Sequence, residues 1–198
     1  MSEIYTPKFP ASEKVSLYSQ ATWINGIAFK DINFHRKGME PVIKISEIKN
    51  GITPQTAFTN DTFDNKYYLQ PNDILFCWSG SPETSIDTFR FREKSGWLNQ
   101  HIFKVLPKES IDKEYFFYVL KCLNKNFIHI AKNKQTTGLG HVTISDLKEI
   151  QISPHLPLEQ KAIASILSSL DSKIDLLRRQ NQTLENIAQT LFKSWFID

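Results

Sequence analysis

The sequence has 198 residues, of which 40% are hydrophobic and 23% charged, a balance that fits a folded domain and excludes a disordered chain. Its net charge of +3 is too small to announce a polyanionic partner by itself, and its two cysteines, Cys77 and Cys122, exclude both a disulfide framework and a paired metal-ligand spacing. The longest apolar runs, such as YFFYVL at 115–120, are too short to cross a bilayer. The N-terminal MSEIYTPKFPASEK has no apolar signal core. A reduced, cytoplasmic protein with no membrane partner is expected.

In chain order, PVIKISEI (41–48), DILFCW (73–78) and HIFKVLP (101–107) are β-branched or aromatic runs, and they predict strands. Turn residues bound them at Asn50-Gly51, Pro71-Asn72 and Gly80-Ser81-Pro82. Asp112 predicts an N-cap for an amphipathic helix whose apolar face is Phe116, Leu120, Leu123, Phe127 and Ile130. The loop KNKQTTGLGH (132–141) leads into a turn expected to be capped by Ser145, then to a strand in EIQIS (149–153). Strands mixed with helices, without regular alternation, predict an α+β domain with a mixed sheet and short helices over residues 1–155.

Residues 156–198 predict one long helix. Pro157 suits a first helical turn and Glu159 lies favourably near its positive end, with no glycine or further proline beyond. Leu170, Leu177, Leu184 and Leu191 recur every seven residues, and Ile163 extends that series by one. Leu167, Ile174, Asn181, Ala188 and Trp195 fill the alternate positions. Roughly 39 residues at about 1.5 Å each reach nearly 60 Å, more than the width of such a domain. Packing on its own domain would cover part of this seam, while the rest calls for a partner helix.

Charge is uneven along the chain. From Pro157 onward five basic residues balance five acidic ones, so the surplus lies in the first 156 residues. Between Glu114 and Asp146 there is no acid, while Lys121, Lys125, Lys132 and Lys134 lie inside. Such a field suits either a polyanion such as DNA or a solvated lysine face, and charge alone does not choose between them. In KNKQTTGLGH, Lys132 and Lys134 suit phosphates. Gln135, Thr136, Thr137 and His141 offer hydrogen-bonding groups, and Gly138 allows close backbone approach. Arg90, Arg92, Asn99 and Gln100 add side chains of the kinds that pair with base edges.

No catalytic constellation emerges. Gly138-Leu139-Gly140 lacks the third glycine and preceding strand of a dinucleotide site. Glu47-Ile48-Lys49 imitates a nuclease motif but has no well-placed upstream aspartate. His35, His101, His129, His141 and His155 have no zinc spacing, so no metal site is expected; His101 and His129 stand in apolar surroundings that predict structural roles. The Asn-Pro-Pro-aromatic tetrapeptide of base methyltransferases is absent.

Several blocks in order carry a family likeness: WINGIAFKDINF, EPVIKISEIKNG, LQPNDILFCWSG, LNQHIFKVLP, TTGLGHVTISDLKEIQIS, and finally LPLEQKAIASILSSLDSKIDLL with LENIAQTLFKSWF. Together they resemble the DNA-specificity subunit of type I restriction–modification systems. The resemblance implies a target recognition domain over 1–155 that reads one half of a split double-stranded DNA target, and a dimerisation or spacer helix over 156–198. It implies modification subunits that methylate adenine with S-adenosylmethionine, a cofactor this chain does not bind, and a restriction/motor subunit that can join. Such subunits normally carry two recognition domains and two helical regions, whereas PLEQ and the leucine heptad occur once here. That implies either a half-subunit, pairing with itself or with a second half through the helix, or the N-terminal half of a longer protein. Two other readings are a coiled-coil adaptor that binds only protein and a stand-alone metal-dependent endonuclease.

Overall fold

The computed structural model describes residues 13–29, 39–135 and 138–197. Along the chain run β1 (Val15–Ser16), β2 (Ala21–Asn25), β3 (Glu40–Ile43), α1 (Ile45–Asn50), β4 (Phe58–Thr59), β5 (Tyr68–Leu69), β6 (Ile74–Cys77) and β7 (Ser79–Gly80). There follow α2 (Pro82–Ser85), β8 (Asp87–Arg90), β9 (Gly96–Leu98), β10 (Ile102–Pro107), α3 (Lys113–Cys122), α4 (Asn124–Asn133), β11 (Gly140–His141), α5 (Ile144–Glu149), β12 (Gln151–Ile152) and α6 (Pro157–Phe196). The fold is α+β with a long C-terminal helix.

The central sheet has strand order β2-β10-β6-β8, all antiparallel. Its inner strand β6 explains the architecture. Successive strand residues face opposite sides, and all four residues of ILFC are buried. Ile74 and Phe76 enter one core with Phe116, Leu120 and Phe127 from the helices. Leu75 and Cys77 enter a second core with Ile43, Leu69 and Leu98, from a second sheet of order β4-β3-β9-β5 in which β3 and β9 run parallel. The run is apolar throughout because it is sandwiched.

Three local expectations change. PVIKISEI is a strand only as far as Ile43. The Glu47 carboxylate accepts the Lys44 N–H at 3.1 Å and the Thr56 hydroxyl at 3.2 Å, which turns the chain into α1 and gives the buried Glu47 a structural role. The helix opened by Asp112, whose carboxylate accepts the Tyr115 N–H at 2.9 Å, is two helices that meet at Leu123. The apolar series continues through Phe127, which packs 4.7 Å from Phe76. The cap of α5 is Thr143 rather than Ser145: Thr143 and Asp146 exchange hydrogen bonds between each side chain and the other's backbone N–H.

The long helix α6 has 40 residues and spans about 60 Å. Its first half is anchored on the domain. Buried Gln160 donates to the His155 carbonyl at 2.7 Å and accepts the Asp112 N–H at 2.8 Å. Ala164 and Ile163 meet the core. Tyr118 donates to Asp171 at 2.9 Å, and Arg92 pairs with Asp175 at 3.1 Å. Beyond Asp175 every described residue of the helix is exposed. Of the expected seam, Ile163 therefore packs on its own domain and Leu167 is half-buried. The members from Leu170 through Ile174, Leu177, Asn181, Leu184, Ala188 and Leu191 to Trp195 face outward.

Candidate nucleic-acid interface

The expected reading residues divide into two groups. At one end of the central sheet, β2 ends at Asn25, β6 at Cys77, and β10 begins at Ile102. This end also carries the turn 99–101, β7 and β11, which pair through Ser79 with His141 and Gly80 with Gly140. Asn99, Gln100 and His141 therefore share one end of the domain, with exposed Gln135 and Gly138 on the loop beside it. Gly140 allows this arrangement: a Cβ there would lie 2.3 Å from the Ala131 carbonyl oxygen, so only glycine lets β11 press against α4. Thr136 and Thr137 lie outside the described residues.

The two lysines of this loop region have different surroundings. Lys132 pairs with Glu83 at 2.6 Å, and the Glu83 side chain is 69% exposed. Exposed pairs of this kind contribute about 0–1 kcal/mol, so a phosphate can take the place of Glu83 at little cost. Lys134 pairs with Asp146 at 2.6 Å, where the carboxylate is only 9% exposed and also holds the cap of α5. Burial pushes the Asp146 carboxyl up, while Lys134 and Thr143 pull it down further, leaving it below the ordinary 3.8. Lys134 is thus tied into the fold.

Arg90 and Arg92 are elsewhere. Arg90 lies opposite Ile74, at the far end of the strand pair that closes with Cys77 and Asp87. Its guanidinium binds both oxygens of Glu114 and lies 4.0 Å over the Phe117 ring, an arrangement of packing and fork-shaped pairing that fixes its position. Arg92 reaches α6. These two arginines line a cleft of about 830 Å³ between the sheet edge and the helix, with Tyr118, Lys121, Asp171 and Asp175. Of its charged groups, Arg90 pairs with Glu114, Arg92 with Asp175 and Lys121 with Asp87. No group of three His, Cys, Asp or Glu that could hold a metal occurs among the described residues.

The histidines also differ from expectation. His101 is exposed beside Gln100, and His129 is exposed with Asn133 Nδ2 3.1 Å from its Nε2. The apolar letters around them mark the strand and helix that carry them, while the rings themselves point out. Two residues at this end, Asn25 and Trp78, gave no signal in the sequence; the indole Nε1–H donates to Asn25 Oδ1 at 2.9 Å across 53 residues of chain.

A family model described as "Type I restriction modification DNA specificity domain" matches residues 13–186, covering both the domain and most of α6. The chain belongs to that family. A specificity subunit of the MjaVIII type I restriction enzyme of Methanocaldococcus jannaschii is 32% identical over 172 residues, 81% of this chain and 39% of that protein. The MjaIX specificity subunit of the same organism is 37% identical over 101 residues, 50% of this chain and 23% of that protein. Among solved structures, the HsdS subunit of Thermoanaerobacter tengcongensis aligns with TM-score 0.61 at 18% identity, covering 100% of this chain and 48% of that one. The S subunit of M. genitalium aligns with TM-score 0.62 at 21% identity, covering 99% and 50%. At such identities the structures speak for the fold alone. The matched region is less than half of each curated relative and about half of each solved chain. Among the described residues no helix is long and apolar enough to cross a membrane.

Proposed function

We propose that the chain is the sequence-reading, non-catalytic part of a type I restriction–modification complex, acting in the cytoplasm. Residues 13–155 read one half of a split double-stranded DNA target, and α6 joins the reader to a second one. The modification subunits that bind S-adenosylmethionine and the restriction/motor subunit assemble on this scaffold. The reading end carries Asn99, Gln100, Gln135, Thr136, Thr137, Gly138 and His141, with Lys132 on a phosphate; Lys134 holds the loop. Arg90 serves the packing of α3 on the sheet and Arg92 the joint to α6, rather than the DNA surface.

The observation that carries this reading is the outward face of α6. Ile166, Leu170, Ile174, Leu177, Leu184, Ile187, Leu191 and Trp195 are between 45% and 72% exposed. They are spaced four, four and three residues apart, then seven, then three, four and four. The spacing reads the same from either end about a point between Gln180 and Asn181. A helix with such a mirrored stripe matches its own reverse, so two copies lying antiparallel bring apolar residue against apolar residue along the whole length, with the polar pair at the two-fold axis. Leu176, Phe192 and Phe196 widen the stripe at its flanks. The domain contacts of Gln160, Ala164 and Asp171 lie on a neighbouring face, so dimerisation does not compete with them.

Two experiments test the proposal. Affinity for duplex DNA should fall steeply with salt, because phosphate contacts release counterions; a complex with no salt-dependent DNA binding would point to the protein-only adaptor. Spin labels at residues 166 and 195 should show short distances between unlike ends. Short like-to-like distances at both positions would refute the antiparallel pair.

A further inference from the structure

Trp78 ties together the three segments that form the reading end. Its backbone N–H donates to the His101 carbonyl at 3.3 Å, and its carbonyl accepts the Val142 N–H at 2.8 Å. Its ring lies 5.8 Å from both His101 and Phe103, so the indole is half-buried and held in one orientation. From there its N–H reaches Asn25 at the end of β2. Gly26, the next residue, is so close to Asn99 that a Cβ would lie 2.1 Å from the Asn99 carbonyl oxygen. This contact sets Asn25 directly beside the 99–101 turn.

The chemistry of the pair fixes what Asn25 presents. An indole nitrogen can only donate, so the amide oxygen must face Trp78. The two Nδ2 hydrogens are then left for groups other than Trp78. Asn25 is exposed, and nothing in the fold calls for a 53-residue tether on an exposed amide, whereas a recognition surface gains from an amide whose orientation is set before contact. A free asparagine must be ordered on binding; a held one is not.

We propose that Asn25 reads a base edge through its Nδ2 donor and that Trp78 is its positioning residue. This rests on the DNA-recognition reading above. The partner edge is one that offers an acceptor in the major groove, as guanine, thymine and adenine do and cytosine does not.

The test uses the full chain, purified with the subunits it carries in its own cells, to select duplexes from a randomised pool. Wild-type protein should enrich one motif; no enrichment at low salt would overturn the DNA-recognition reading itself. Asn25→Asp keeps the oxygen facing Trp78 and turns the Nδ2 donor into an acceptor. At one position of the motif its preference should move toward cytosine, whose groove edge offers only a donor, by about tenfold or more, with all other positions unchanged. Trp78→Phe keeps the ring packing and loses the N–H, so the same single position should relax. An unchanged motif with Asn25→Asp overturns the assignment of Asn25. A switch with Asn25→Asp but no relaxation with Trp78→Phe overturns the role of Trp78. Should Trp78→Phe fail to fold, the indole N–H resonance of Trp78 decides its part. It should move in Asn25→Ala, and an unmoved resonance would show that the tether does not exist in solution.

Discussion

Replacing Gln160 by alanine tests the joint between domain and helix. Gln160 is only 2% exposed, and its amide bridges the Asp112 N–H, at the start of α3, to the His155 carbonyl, just before α6. Alanine removes both hydrogen bonds without supplying a polar substitute. Each buried hydrogen bond lost this way costs about 1–3 kcal/mol, so the pair is worth about 2–6 kcal/mol. For a protein of this size about 1 kcal/mol lowers Tm by about 2–4 °C, giving an expected fall of roughly 4–24 °C. Thermal and urea melts must be made at one protein concentration, because association through α6 adds its own stability. Gln182→Ala, on the free half of the helix, is the control and should change little. A loss under about 1 kcal/mol for Gln160→Ala would mean that water replaces the amide at no cost, and that the helix is held by Ala164 and the Asp171 and Asp175 contacts instead.

Changing Leu177 and Leu184 together to lysine should weaken self-association more than a hundredfold, since losing each buried leucine costs about 1.5–3 kcal/mol; sedimentation showing an unchanged dimer would refute the stripe as the interface. Lys132→Ala should weaken binding equally on all DNA sequences and lower the salt slope by about 1 per chain, while leaving the melt unchanged. Lys134→Ala should instead lower the melt by about 1–3 kcal/mol, because it strips the cation from a nearly buried carboxylate. The Asp146 carboxyl titrates below its ordinary value in the folded protein, so it contributes stability that is complete above 3.8 and lost as pH falls through the folded value. Asp146→Asn should therefore be less stable than wild type at neutral pH, with the gap closing as pH drops below 3.8; a gap constant with pH would refute the charge's part in it.

What could be read in the sequence follows the reach of each force. The strands β6 and β10, the Asp112 cap and the whole of α6 depend on residues within a turn or two of one another, and periodicity exposes them. The boundary between β3 and α1 is masked in the sequence because valine and isoleucine dominate the pattern, while the deciding group is Glu47 reaching back to the Lys44 N–H. The break at Leu123 was hidden because the apolar face continues across it. Pairs across long loops left no local trace. Arg90 with Glu114 and Asn25 with Trp78 are 24 and 53 residues apart, so no local pattern announces that this arginine is paired within the fold, or that this asparagine shares an end of the sheet with Asn99, Gln100 and His141.

In the proposed antiparallel pair, the anchor on α6 would also set the distance between the two readers. The domain grips the helix from Gln160 to Asp175, and the centre of that grip lies about 13 residues, or about 20 Å, from the proposed two-fold axis. Two grips are then about 39 Å apart along the pair, close to the roughly 34–36 Å of one DNA turn that places two half-sites on the same face of a duplex. A seven-residue insertion between Gln180 and Asn181 gives a sharp test. It keeps the mirrored stripe and turns the helix by only about 20°, so the dimer should survive. It moves the readers about 10 Å further apart, roughly three base pairs, which carries a half-site about a third of the way around the duplex. Affinity for the original split target should therefore collapse while affinity for an isolated half-site does not change. Undiminished binding to the original target by the lengthened dimer would mean that the helix does not set the spacing.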